Sequence, residues 1–591
     1  MPSQRPGMTR RDFLKVSAAA CAAAYLGWGE SLAESSEAAD MVLLNGKIIT
    51  VNPSDSIAQA VAIRGDKIQA VGPTSNIRNM VGPATKIIDL GGRTVTPGII
   101  DAHIHTLYYG RNFWDGFANI RFPGIKSFAE LQAAIEERAL TTPAGEWISG
   151  NQGFYFTQGI REFDKTDLDA FTPSHPLYLR HGSGQYSVVN SLALQEAGID
   201  AGGTLTENPF GGKIVRDPVT HEATGVLLHY PAENLVMLHA DGYKDLTDEA
   251  LENDLKYAQD ILLAAGITGG QDVIVGSPHD LRIYKNLADR GELKMRMYLM
   301  LYINSAEQAQ QYVDEIEGYE SDYLTFGGWK LAIDGGVTAG TSLMYNTVLD
   351  CARSSYYFYE PDVLNSIVQL LHGTGKQISF HIIGDKGIDE ALDAVQAAFD
   401  ALGQNGARHR IEHLIFPTAT ALSRMRDLGM VASMQPQFIS WFGDGYRTCS
   451  DDATMLRCMP TKTLLTMGVP VAFGCDVPAG IMHHPKWAFV AAAMRKTLSG
   501  YVASPNECID MHAALKVHTM GSAYAEGAED KKGSIEVGKL ADLVVWNDDV
   551  YSVDTPEETT NLEALMTIVG GEIVAHSKDH VVYLPATHVG Q

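Results

Sequence analysis

Cysteine is scarce in this chain: six in 591 residues, with no Cys-x-x-Cys, which excludes a disulfide framework and a cysteine-built zinc site. Cys449 and Cys458 can pair in an oxidising compartment, but free buried thiols are the expected state. Long apolar runs are also missing. With 45% apolar residues and a mean hydropathy of -0.07, the chain reads as soluble and globular, with no stable membrane insertion. Positive charge is short as well, 45 basic against 71 acidic residues, so the net charge of -26 repels nucleic acid and anionic membranes, and neither is expected as a partner. The length exceeds one simple core and calls for a large domain with a smaller companion.

The first residues read as an address. Thr9-Arg10-Arg11-Asp12-Phe13-Leu14-Lys15 precedes a mild apolar stretch from Val16 to Trp28 and the small-x-small sequence Ser31-Leu32-Ala33. This is the pattern of a twin-arginine signal over residues 1–33, which implies the twin-arginine export machinery as a partner and a periplasmic or secreted protein. Removing it takes away four basic and two acidic residues and leaves a mature charge of -28. Cys21 follows three alanines without the leucine of a lipoprotein box, so lipid anchoring is the minor alternative.

Two kinds of pattern follow. Short β-rich runs fill residues 41–93, with hairpin turns expected at Asn45-Gly46 and Gly65-Asp66, and similar runs return at Ala541–Trp546 and Met566–Val574. A small β-sandwich built from both termini, residues 40–93 with 531–585, accounts for them. Between them, residues 94–530 alternate strands and helices. Candidate strands at 95–104, 266–273, 294–301, 328–333, 377–383, 409–414, 430–436 and 470–475 make an α/β fold, a (β/α)8 TIM-like barrel. The gap after its first strand, residues 107–258, is a large insertion expected to overhang the barrel mouth as a substrate cap.

Polar residues sit where the candidate strands end. His103-Ile104-His105 closes the run Val95 to Ala102, and residues two apart on a strand face the same side. His381, His413 and Asp476 each end another run, and Lys330 interrupts one. Singly, each has an ordinary reading: a core histidine bonded to a carbonyl, a helix cap, a snorkelling lysine. Ordered along one barrel, they fit a single centre for a divalent metal.

The chain resembles the amidohydrolase superfamily, and more closely its YtcJ-like, amidohydrolase-3 branch, which includes N-substituted formamide deformylases. The likeness rests on Val42-x-x-Asn45-Gly46-Lys47-Ile48, Thr96-Pro97-Gly98-Ile99-Ile100-Asp101-Ala102-His103-Ile104-His105, Val189-Asn190-Ser191, His381-x-x-Gly384-Asp385, Arg410-Ile411-Glu412-His413, Gln435-Pro436, Gly474-Cys475-Asp476 and Lys532-Gly533-Ser534-Ile535-Glu536. It implies His103, His105, His381, His413 and Asp476 as metal ligands, with Lys330 where binuclear members carry a carboxylated lysine. The implied cofactor is one or two divalent ions, zinc by default. The implied chemistry is hydrolysis of a non-peptide C–N bond in an amide, N-acyl or N-formyl amine by metal-activated water, with Asp476 as general base and a small molecule as substrate. A cyclic amidohydrolase or deaminase acting on a ring, and a catalytically silent binding protein, are the alternatives; a homo-oligomer is left open. Ser183-Gly184-Gln185 stands where relatives often have Asp-Gly-His, His229 where they often have Glu, and Cys475 where serine is common. Gln185 and His229 are therefore candidates for substrate binding, against plain surface or packing roles.

Overall fold

In a computed structural model of the protein, residues 38–584 are described except 157–158, 200–206, 210, 314–315, 317–318, 347–357, 552–560 and 578–581. The predicted signal segment, Cys21, Cys351 and the Gly202-Gly203 pair lie outside the described residues.

Eight parallel strands form one sheet in chain order: Ile99–Ile104, Ile267–Val275, Arg296–Tyr302, Leu324–Ala332, Gln377–Ile382, Arg410–His413, Val431–Met434 and Val471–Phe473. Each overlaps a strand expected from the sequence; most are largely apolar, and nearly all of their residues are buried. Helices cover the outside. The helix Asp248–Ala264 is capped by Thr247, whose side chain accepts from the Ala250 N–H, and it buries Leu251, Leu255, Ala258 and Leu262 along one face. The seam between the first and eighth strands closes just past their ends, where the Asp476 N–H donates to His103 O at 2.7 Å and the His105 N–H donates to Val477 O at 3.1 Å. Sheet and seam together make the (β/α)8 barrel.

The terminal strands form two further sheets. One contains Ala39–Leu44, Ala60–Arg64, Lys67–Gly72, Val81–Asp89 and Val582–Leu584; the other contains Lys47–Ile49, Ile57–Ala58, Thr94–Pro97, Leu543–Trp546, Ala564–Val569 and Glu572–His576. Leu43, Val61, Ile63 and Ile88 of the first share one apolar cluster with Ile48, Val95, Leu543 and Ile568 of the second, which makes them a sandwich. Gly65-Asp66 is a hairpin turn as expected, joining antiparallel strands. Asn45-Gly46 is not. The chain leaves one sheet there and enters the other, with Asn45 in the left-handed region (φ 58°). A Cβ on Gly46 would lie 2.2 Å from Leu90 Cδ1, so the crossing needs glycine.

The segment after the first barrel strand carries its own five-stranded sheet, with Tyr186–Val189 between Leu177–Arg180 and Ala223–Leu228. Tyr155 from it donates to Ala479 O at 2.5 Å, beside the eighth barrel strand. Cys458, Cys475 and Cys508 are free thiols as expected, and Cys449 and Cys458 do not pair; the expectation is corrected at Cys449, which is disulfide-bonded.

Candidate metal centre

The strand-end residues meet. His103, His413 and Asp476 offer ligand atoms that lie within 4.8 Å of one another, all buried. The backbone is shaped to bring them there: His413 (φ 71°) and Asp476 (φ 57°) both adopt left-handed conformations, which non-glycine residues hold only where the surroundings impose them. Gly474 lets the eighth strand press against the first. A Cβ there would lie 2.4 Å from the His103 nitrogen, so Gly474→Ala is expected to displace His103 and lower bound metal by about 10-fold or more, read by elemental analysis.

Three of the imidazoles are held from outside, while His105 Nδ1 is buried with no hydrogen-bond partner. His103 Nδ1 donates to Glu412 Oε2 at 2.6 Å, His413 Nδ1 to Gln435 Oε1 at 2.7 Å, and His381 Nε2 to Gly335 O at 3.0 Å. With those N–H groups committed, the other ring nitrogens carry lone pairs turned inward. His381 Nδ1 and His413 Nε2 then face each other at 2.8 Å. Both rings are neutral: burial, with Lys330 nearby, pulls His381 down to about 3, and burial with His381 holds His413 well below its ordinary value. Two neutral donors aimed at one point, with outward N–H groups anchored, form a site for a cation. The carboxylate completes it. Asp476 Oδ1 lies 2.8 Å from His105 Nε2 and 3.3 Å from His103 Nε2 without an aligned hydrogen bond from either.

Lys330 ends in the same cavity, with its amine buried and without a hydrogen-bond partner. Burial lowers its pKa to about 8, so a share of it is a neutral amine near neutral pH. Beneath the centre, Arg410 and Glu412 are fully buried. Arg410 bonds Glu412, Gln271 Oε1 and Ala102 O, and Ser379 Oγ donates to Glu412 Oε1 at 2.6 Å. Burial pushes Glu412 up, but Arg410 and His103 more than offset this and hold it well below the usual carboxylate range.

The centre lies at the junction of two lobes that share Ser183, Gln185, His381, His413 and Asp476. One, of about 700 Å3, runs under the insertion; the other, of about 420 Å3, is walled by Tyr155, Phe438, Phe442 and Tyr446. Gln185 is on the wall of both. His229 is not on either wall. It sits fully buried behind Gln185, Nδ1 3.1 Å from Gln185 Oε1, so the two candidate substrate-binding residues are in contact with each other. Sequence reasoning missed the supporting roles of Glu412, Gln435 and Gly335. It also missed Arg180, Tyr108 and Tyr230 of the larger lobe, none of which ends a barrel strand; the available signal was a lone arginine at the end of the otherwise apolar strand Leu177–Arg180.

An eight-stranded barrel with such a donor set at the C-terminal strand ends is the architecture of metal-dependent hydrolases. Residues 86–575 match the amidohydrolase family, and the chain belongs to it; it is a hydrolase acting on carbon–nitrogen bonds. Residues 7–27 match the twin-arginine translocation signal sequence, so the protein is exported by that route to the periplasm or beyond. No described helix is long and apolar enough to cross a membrane. The chain is 27% identical over 546 residues to an N-substituted formamide deformylase of Arthrobacter pascens, covering 90% of this chain and 97% of that one. It is 27% identical over 548 residues to the protein LONG AFTER FAR-RED 3 of Arabidopsis thaliana, covering 90% and 91%. An uncharacterized metal-dependent hydrolase from Pyrococcus horikoshii shares the fold, with a TM-score of 0.68 at 23% identity over 88% of this chain and 99% of that one.

Proposed function

We propose that the protein hydrolyses a non-peptide amide, an N-acyl or N-formyl amine, at a centre where His103, His105, His381, His413, Asp476 and a carboxylated Lys330 hold two divalent ions, zinc on base rate. The observation that carries this reading is the pair of inward-facing nitrogens of the neutral rings of His381 and His413, 2.8 Å apart beside Asp476 and His103. A bound divalent ion supplies Lewis-acid polarisation of the scissile carbonyl and acidification of water.

The protein's own groups do the rest. Asp476 has a carboxylate oxygen without an aligned donor, so it can take a proton from water and later pass it to the departing amine. The Lys330 amine, neutral in part and unpartnered, is able to add carbon dioxide and become an anionic ligand. Gln185 meets the substrate at the junction of the lobes, and His229 fixes its amide orientation. The insertion above limits access of bulk water.

Elemental analysis on protein purified without chelators, paired with a panel of formanilides, acetanilides and N-acyl amines, tests the reading. Two ions per chain and turnover of at least one amide are expected, and metal-free protein would overturn it. Asp476→Asn is expected to lower kcat by about 10²–10⁴-fold. Lys330→Ala is expected to reduce bound metal to one ion or none. After chelation, wild type should recover activity with zinc only when bicarbonate is also supplied, whereas the Lys330 variant should ignore bicarbonate.

A further inference from the structure

The larger lobe carries a cation away from the metal-binding residues. Arg180 closes the strand Leu177–Arg180 of the insertion and lines the lobe with Tyr108, Tyr230 and Gln152. The residue is only 7% exposed, yet its guanidinium is sparsely used. One terminal nitrogen, Nη2, donates to Gly184 O at 3.2 Å and to Glu233 Oε2 at 3.3 Å, and Nε is buried with no hydrogen bond. Among the described residues, no hydrogen bond is made by the other terminal nitrogen.

Glu233 does not reach the lobe. It is completely buried behind Arg180, and Ser187 donates to its other oxygen at 2.5 Å. The pair is therefore built front to back: the carboxylate holds the guanidinium from the protein side through Nη2, and the guanidinium lines the cavity. A buried N–H left unsatisfied costs about 1–3 kcal/mol, so a protein keeps one where something else completes it. The planar fork of arginine matches a carboxylate. Two phenols stand beside it, Tyr108 and Tyr230, their hydroxyls 3.3 Å apart, and they add neutral donors to the same end.

The smaller lobe has the opposite character, with Tyr155, Phe438, Phe442 and Tyr446 forming an aromatic wall. Because the lobes meet at His381, His413 and Asp476, an amide centred there projects one substituent into each. We infer that the substrate carries a carboxylate on one side of its scissile C–N bond, anchored by Arg180, and an aryl or other apolar group on the other side, seated in the aromatic lobe. This inference rests on the amide-hydrolase reading and narrows its substrate class.

The test uses matched pairs of compounds on the metal-loaded enzyme: N-benzoylglycine against N-benzoylglycinamide, and N-phenylsuccinamic acid against N-phenylsuccinamide. The two pairs place the carboxylate on the amine side and on the acyl side, so either orientation is covered. Wild type is expected to prefer the acid of at least one pair in kcat/KM. Arg180→Gln is expected to lower that acid-to-amide ratio by about 100-fold, and Arg180→Lys by less. Because Arg180→Gln strands Glu233, the double variant Arg180→Gln/Glu233→Gln is measured beside it, with melting temperature and bound metal recorded for each. The same loss of ratio in the double variant, with metal retained, supports the anion subsite. Wild type that cleaves the neutral members as well as the acids, or a ratio unmoved in both variants, overturns the subsite and leaves amide hydrolysis standing. No turnover of these pairs or of the wider amide panel overturns amide hydrolysis itself, and the subsite with it.

Discussion

His381→Ala is expected to strip the centre of metal and lower kcat/KM for any amide substrate by about 10³-fold or more, measured by elemental analysis and hydrolysis assay on the same preparation. The reason lies in the opposed nitrogens. Gly335 O and Gln435 Oε1 take the outer N–H groups of His381 and His413, so the 2.8 Å approach of the inner nitrogens is unfavourable until a cation comes between them. Stability reports this independently of activity. A ligand present at 100 times its dissociation constant stabilises by about 2.7 kcal/mol, so chelation should lower the melting temperature of wild type by several degrees. In His381→Ala the lone-pair opposition is gone along with the binding, and chelator should leave the melting temperature unchanged. Metal retained at wild-type stoichiometry in the variant would remove His381 from the ligand set.

The largest effect on stability is expected from Arg410→Met. Arg410 is fully buried and gathers Glu412, Gln271, Ser433 and the carbonyl of Ala102 around one guanidinium, so three barrel strands besides its own meet there. Its removal leaves Glu412 as a buried carboxylate without its main counter-charge, a change that costs about 3–5 kcal/mol. A shift of that size is measured as a lower urea midpoint. Arg410→Met/Glu412→Gln should recover part of it, because a neutral amide no longer needs the cation yet still accepts from His103 Nδ1. A single variant as stable as wild type would show that Glu412 is neutral in the folded protein. Metal affinity should fall in Arg410→Met by about 10–100-fold, since Glu412 orients His103.

The barrel was legible because its strands are buried on both faces and most of them are written as largely apolar runs. The polar residues His103, His381, His413 and Asp476 stand out for the same reason, since a parallel core strand has no other place for them. What stayed hidden depends on register between distant segments. Glu412 reads as one more polar residue before a histidine until the sheet sets His381 beside it and His103 across the barrel. Arg180 and Glu233 belong to different elements of the insertion, and nothing local in either announces that they pair. Asn45-Gly46 has the chemistry of a hairpin turn, and only the packing of Ile48 against the other sheet and of Ile49 against the barrel decides that it is a crossing. Cys449 and Cys458 are near in sequence, yet Cys458 is enclosed in the barrel's apolar core.

The seam at which the first and eighth strands meet gives the centre a second meaning. His103 and Asp476 are 373 residues apart in the chain, and one backbone hydrogen bond joins them, with a second from His105 to Val477, where the barrel shuts. A polypeptide lacking the last strand also lacks Asp476 and the backbone groups that meet His103 and His105, so closure of the barrel and assembly of the proposed donor set depend on the same two strands.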